Sequence, residues 1–78
     1  MRTCHSVYVA RGMYMGMRQV LYVGSTSRGM VRLHEHAGFQ DWWPLVSSMS
    51  WYHRSSRQAA LATERRLIAQ LDPLFNDR

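Results

Sequence analysis

Two short stretches decide the fold of this chain: Ser-Val-Tyr-Val at residues 6–9 and Leu-Tyr-Val-Gly at residues 21–24. Each alternates apolar residues with a tyrosine, and a period of two is typical of a β-strand. In the first stretch, Val7 and Val9 are expected on one face and Tyr8 on the other. The pattern predicts strands near residues 5–10 and 20–24.

The segment between the two stretches runs from Arg11 to Gln19. It contains two glycines and several methionines, and this composition predicts a hairpin loop. In the second strand, Tyr22 is expected to face away from Leu21 and Val23. The two tyrosines are therefore expected on neighbouring strands of one hairpin.

A helix is predicted to follow the second strand, near residues 27–37, because a Ser-Thr-Ser sequence supplies helix N-cap candidates. On such a helix, Arg28, Arg32 and His36 lie four residues apart and form a single stripe. Like charges at this spacing cost an isolated helix about 0.2–0.5 kcal/mol each. An anion is expected to offset that repulsion, and phosphate is the first candidate.

Three further elements are predicted in the second half of the chain. Residues 39–45 are expected to form a short helix or turn packed by its tryptophans, and residues 48–53 a third strand. Ser55 and Gln58 have the spacing of a capping box, which predicts a helix over residues 56–71. The expected fold is α/β (α+β): a small three-stranded, mainly antiparallel sheet flanked by helices, in the order β-β-α-β-α.

Length and composition indicate one domain over residues 1–78. The single cysteine, Cys4, has no partner for an internal disulfide, which favours a reducing, cytoplasmic setting. No apolar run approaches the roughly 20 residues that span a bilayer, so no membrane association is expected. Ten arginines, no lysine and five acids give a net charge of +5, which is typical of a nucleic-acid binder.

Glu64 stands out in the last predicted helix because it interrupts the apolar stripe. A carboxylate on a core-facing position is costly unless it is paired, hydrogen-bonded or bound to a metal. A salt bridge to an arginine of the neighbouring helix and a metal-binding role explain it equally well on residue types alone.

The spaced residues together resemble the GIY-YIG nuclease superfamily over nearly the whole chain. Tyr22-Val23-Gly24 is similar to the second motif, and Ser6-Val7-Tyr8 to the first, with serine where the family most often has glycine. Later family positions are matched by an arginine eight residues after Gly24, a histidine four residues further, a glutamate on a later helix and a late asparagine. These are Arg32, His36, Glu64 and Asn76.

The resemblance implies a metal-dependent DNA endonuclease. Glu64 would hold one divalent cation, Mg²⁺ or Mn²⁺, and Arg32 would neutralise charge on the phosphoryl oxygens. Tyr8 or Tyr22 would orient or deprotonate the attacking water. His36 would assist through a hydrogen bond. The catalytic residues that the resemblance implies are therefore Tyr8, Tyr22, Arg32, His36 and Glu64.

The remaining expectations concern binding. Asn76 would be a structural or supporting hydrogen-bonding group. Arginines are expected to contact duplex or branched DNA, with targeting by a protein partner or by self-association. The alternative function is a non-catalytic nucleic-acid-binding module that retains the fold. The expected DNA contacts are Arg28, Arg32, Arg54 and Arg57.

Overall fold

The computed structural model describes residues 5–27 and 40–76. The helix predicted near residues 27–37 falls almost entirely outside this part of the chain. The described elements are strand β1 (His5–Tyr14), strand β2 (Met17–Thr26), a 3-10 turn (Trp43–Leu45), strand β3 (Val46–Arg54) and helix α1 (Arg57–Leu71).

The three strands form one antiparallel sheet in the spatial order β2-β1-β3. The predicted antiparallel sheet is confirmed. Ala10 pairs with Tyr22 and Tyr8 pairs with Gly24, so the two tyrosines lie on neighbouring strands, two positions apart along the ladder.

The prediction of a loop over Arg11–Gln19 is wrong, because both strands continue to a two-residue turn. The turn residues Met15 and Gly16 have φ angles of 56° and 78°, as in the mirror-image turns whose twist suits a hairpin. The other glycine, Gly12, lies within β1. A Cβ placed there would lie 1.9 Å from the Leu45 carbonyl oxygen, so this glycine lets the 3-10 turn approach the strand.

Each face of the sheet carries its own small apolar core. On one face, Val7, Val9 and Val23 pack against helix α1. On the other face, buried Tyr8 packs with a cluster that includes Leu21 and partly buried Tyr22. The expectation that Leu21 and Tyr22 face apart is therefore wrong, because the register shifts opposite them, between Ala10 and Arg11 of β1.

Helix α1 begins one residue later than the capping-box reading predicts. The side chain of Ser56, not Ser55, accepts a hydrogen bond from the Ala59 amide at 3.1 Å. The helix ends as predicted before Asp72, which has a φ of 48° and donates its amide hydrogen to the Ile68 carbonyl oxygen.

After α1, the chain runs along the outer edge of β2. The Leu74 amide donates to the Val20 carbonyl oxygen at 3.1 Å, and the Phe75 amide donates to the Leu21 carbonyl oxygen at 2.8 Å. The tail formed by residues 73–76 thus satisfies backbone groups that an edge strand leaves unpaired.

Within the described part of the chain, no helix has the length and apolar character needed to cross a lipid bilayer.

Candidate functional site

Tyr8 is the centre of an aromatic cluster on one face of the sheet. Its ring lies 5.6 Å from that of Trp51, its partner on β3, and 6.1 Å from that of Tyr22 on β2. Only 8% of Tyr8 is exposed. Since both neighbouring strands contribute a ring, Tyr8 is held on two sides.

Tyr22 is fixed by a tryptophan that the sequence did not single out as its partner. The rings of Tyr22 and Trp42 are stacked, with centroids 4.8 Å apart and planes 8° apart. Trp42 is 2% exposed, and its Nε1 has no hydrogen-bond partner among the described residues. The tryptophans are therefore mainly packing partners of the tyrosines rather than a free base-stacking surface.

Gly24 gives the Tyr8 side chain the space that it occupies. A Cβ at residue 24 would lie 2.6 Å from the Tyr8 hydroxyl oxygen, 2.7 Å from Tyr8 Cζ and 2.8 Å from Tyr22 Cε2. The end of the Tyr8 ring thus rests on the backbone of its cross-strand partner. This contact is the physical reason for a glycine two residues after Tyr22.

Glu64 acts electrostatically on both tyrosines, although α1 packs against the valines of the opposite sheet face. Burial raises the pKa of Tyr8 well above its ordinary value, and the neighbouring Tyr22 and the negative charge of Glu64 raise it further. Burial also raises the pKa of Tyr22, with Glu64 adding to the effect. Tyr8 and Tyr22 therefore lie side by side on one face, and the charge of Glu64 influences both.

Both hydroxyls are protonated at neutral pH, and the raised pKa values make deprotonation harder still. A tyrosine whose pKa lies above its ordinary value of about 10 stays protonated and donates a hydrogen bond. Within residues 5–27 and 40–76, neither hydroxyl has a hydrogen-bond partner. Deprotonation at neutral pH requires positive charge brought by a cation or an arginine.

Glu64 is half-buried and forms no ion pair with any residue that the structure describes. A salt bridge to an arginine within this part of the chain therefore does not explain the carboxylate. The described residues also contain no group of three histidine, cysteine or acidic side chains that together could hold a metal. A lone carboxylate fits a hard cation that keeps most of its water ligands, as Mg²⁺ does.

Asn76 has a structural position. Its side-chain oxygen accepts from the Val23 amide at 2.9 Å, and its side-chain nitrogen donates to the Val23 carbonyl oxygen at 2.8 Å. The side-chain amide of Asn76 thus bonds both backbone groups of Val23, the residue before Gly24, as a neighbouring strand would. Asn76 therefore supports the backbone beneath the tyrosines.

Ser6, at the position where the resembled motif has glycine, is engaged by a histidine of β3. The Ser6 hydroxyl lies 2.8 Å from His53 Nδ1, and the two residues are cross-strand partners. Ser6 is buried, so this hydrogen bond satisfies its hydroxyl. Neither the histidine nor this pairing was singled out from the sequence, because the two residues are 47 positions apart.

Two of the four arginines predicted to contact DNA, Arg54 and Arg57, lie within the described residues. The Arg54 side chain joins β3 to α1: its Nε donates to Thr63 Oγ1 and its Nη1 to the His53 carbonyl oxygen, both at 2.9 Å. Arg57 is exposed at the first turn of α1. The other predicted site residues, Arg28, Arg32 and His36, lie outside the described residues.

Comparison of the sequence with models of known protein families gives no match, and comparisons with curated proteins and with solved structures give none.

Proposed function

We propose that this protein is a metal-dependent DNA endonuclease with a GIY-YIG-type fold and site. The observation that carries the proposal is the pair of neighbouring tyrosine rings, 6.1 Å apart, whose pKa values the charge of Glu64 helps to raise. Two hydroxyl groups without partners among the described residues lie within the electrostatic reach of a half-buried carboxylate that has no arginine partner there. The residue spacing described above and the net charge of +5 support the same function.

The hydroxyl groups of Tyr8 and Tyr22 act first as hydrogen-bond donors. Held by Trp51 and Trp42, they orient a phosphate oxygen or the attacking water without reorganising during the reaction. Their raised pKa values keep both groups protonated until positive charge enters the site. Once positive charge lowers its pKa, a tyrosine loses its own proton to solvent, and the resulting tyrosinate takes a proton from the attacking water.

Glu64 is the residue that would hold the cation. A bound Mg²⁺ or Mn²⁺ supplies charge stabilisation at the phosphate oxygens and acidifies bound water. Arg32, matched through the spacing of the motif, is proposed to neutralise the remaining charge on the scissile phosphate. His36 is proposed to hydrogen-bond within the same site. We also propose a cytoplasmic location, because a single cysteine is typical of a reducing compartment.

The test is nicking of supercoiled plasmid with Mg²⁺ or Mn²⁺, with and without chelator. Glu64→Gln preserves the shape of the side chain and should reduce nicking by orders of magnitude. Since Glu64 has no ion pair among the described residues, the melting temperature of the Glu64→Gln protein should be close to that of wild type. Asp41→Asn removes the same charge from an exposed carboxylate of another segment and is the matched control.

Two further variants separate binding from chemistry. Tyr8→Phe removes one hydroxyl and should lower the nicking rate while duplex binding is retained. Arg32→Ala should remove about 3 kcal/mol of transition-state stabilisation, the typical value of one such donor, and the nicking rate should fall accordingly. Nicking by Glu64→Gln at the wild-type rate would refute the metal-binding role.

The raised pKa values of the tyrosines also favour a second candidate, a non-catalytic DNA-binding module. Without a cation, Tyr8 and Tyr22 are donors that bind a phosphate but do not activate water. This protein would bind duplex DNA with a steep salt dependence and leave it intact with every divalent metal. Chelator would then have no effect in any assay.

A further inference from the structure

The tip of the β1–β2 hairpin presents apolar side chains to solvent. Met13, Met15 and Met17 are 52%, 82% and 65% exposed, and Tyr14 is 37% exposed. Strand β3 pairs with β1 only as far as Gly12, so the tip extends past the sheet as a two-stranded ribbon. Large apolar side chains concentrated on one protruding element indicate an interaction site.

The backbone of this tip is also unfavourable for the residue that occupies it. Met15 has a φ of 56°, in the left-handed region where asparagine or glycine is preferred. A polar residue would suit both this conformation and the solvent. Methionine at the apex therefore costs stability on two counts, which is typical of a position kept for function.

Charge identifies the kind of partner. No acidic residue occurs in residues 1–34, and the hairpin carries Arg11 and the exposed Arg18, the partner of Met13 across the ribbon. Two copies of a cationic tip repel each other, whereas a polyanion is attracted. Proteins that bend DNA insert apolar side chains, methionine among them, between base steps from the minor groove, beside arginines that contact phosphates.

We propose that the hairpin tip is a DNA-binding wedge: Met15 and its neighbouring methionines enter the minor groove and unstack a base step, with Arg18 at the adjacent phosphate. The inference rests on the proposed function and adds the mode of substrate recognition. Methionine suits this use because its flexible, polarisable side chain fits irregular apolar surfaces.

The length of β1 sets the distance between wedge and cut. Seven residues separate Tyr8 from Met15, which at about 3.3 Å per residue spans roughly 23 Å. With a rise of about 3.4 Å per base pair, the unstacked step lies some six or seven base pairs from the scissile phosphate. The protein therefore needs duplex on one particular side of the cut.

The experiment compares the wild type with a Met13→Gln/Met15→Gln/Met17→Gln variant, and with a matched variant carrying leucine at the same three positions. The probe is a 30-base-pair duplex, a length chosen to exceed roughly twice the expected reach, with 2-aminopurine at central A·T steps. Wild type and leucine variant should raise 2-aminopurine fluorescence on binding. The glutamine variant should lose this rise and bind about tenfold more weakly.

Cutting of an end-labelled linear duplex gives a second readout. Wild type should leave the last six or seven base pairs at one end of each strand uncut, as the reach calculated above requires. The glutamine variant should lose this asymmetry. Circular dichroism checks that each variant is folded, and the single Met15→Gln variant, changed only at the exposed apex, provides a milder perturbation.

The outcomes distinguish this inference from the proposed function. If wild type binds and cuts duplex DNA and the glutamine variant does so with equal affinity and fluorescence, the wedge is refuted and the nuclease stands. If sedimentation shows that the glutamine variant changes only self-association, the tip is an interface between copies and the inference is overturned. Absence of duplex binding by the wild type would overturn both proposals.

Discussion

Gly24→Ala tests whether the packing of the two tyrosines is as tight as the structure shows. The added Cβ would lie 2.6 Å from the Tyr8 hydroxyl oxygen, against an ordinary contact distance of 3.4–4 Å. Tyr8 must therefore move by close to an ångström. It has little freedom to do so, because the rings of Tyr22 and Trp51 lie 6.1 Å and 5.6 Å away.

Overpacking of this kind typically costs about 1–3 kcal/mol. In a domain of this length, each kcal/mol lowers the melting temperature by about 4–8 °C. Gly24→Ala should therefore melt between about 4 and 24 °C below wild type. The assay is thermal unfolding followed by circular dichroism, with nicking of plasmid measured well below the melting temperature.

A double-mutant cycle with Tyr8→Phe assigns the cost to its cause. Phenylalanine removes the nearest atom but leaves Cζ of residue 8 at 2.7 Å and Tyr22 Cε2 at 2.8 Å, so the recovery should be partial. A Gly24→Ala protein that melts at the wild-type temperature would refute the reasoning. So would a cost that is the same in both backgrounds, because the Tyr8 hydroxyl would then not contribute to the obstacle.

Three further predictions concern single residues. The pKa values of Tyr8 and Tyr22 are raised by folding, so the stability they contribute is present below about pH 10 and lost as pH rises further; absorbance titration at 295 nm should show late components that Tyr8→Phe and Tyr22→Phe each remove. Asn76→Ala leaves the amide and carbonyl of Val23 without their partner and should cost about 1–3 kcal/mol in denaturant unfolding, whereas an unchanged midpoint would contradict its structural role. Met15→Asn should stabilise the hairpin by about 0.5–1 kcal/mol in the same assay, and a loss of stability would show that the turn does not need its left-handed conformation.

The sequence predicted the parts of the fold that depend on local periodicity. Alternation around Tyr8 located β1 and its facing, and the apolar stripe of α1 located the helix to within one residue of its start. The hairpin turn escaped prediction because Met15-Gly16 lacks the asparagine or aspartate that usually marks a mirror-image turn. Gly12 contributes to the prediction of a loop, but it lies within β1, and its role depends on the Leu45 carbonyl 33 residues later.

The candidate site was predicted through spaced motif residues, and its supporting contacts were not. Tyr8 and Tyr22 are neighbours with ring centroids 6.1 Å apart, and the charge of Glu64 adds to the rise in both pKa values. The stacking of Trp42 on Tyr22 and the pairing of Ser6 with His53 join residues distant in the chain. The Ser6–His53 contact follows from strand register, which a one-residue irregularity changes for every later pair, and the Trp42 contact follows from how the segment before β3 packs on the sheet.

The tail after α1 also covers the exposed edge of the sheet, along strand β2. Backbone groups of β2 that would otherwise face outward are occupied at Val20 and Leu21, and again at Val23 by the side chain of Asn76. A chain shortened to end at Asp72 would present them as a template for a strand of another molecule, the first step towards aggregation. Residues 73–76 thus cover the outer edge of β2 while they support the backbone beneath its tyrosines.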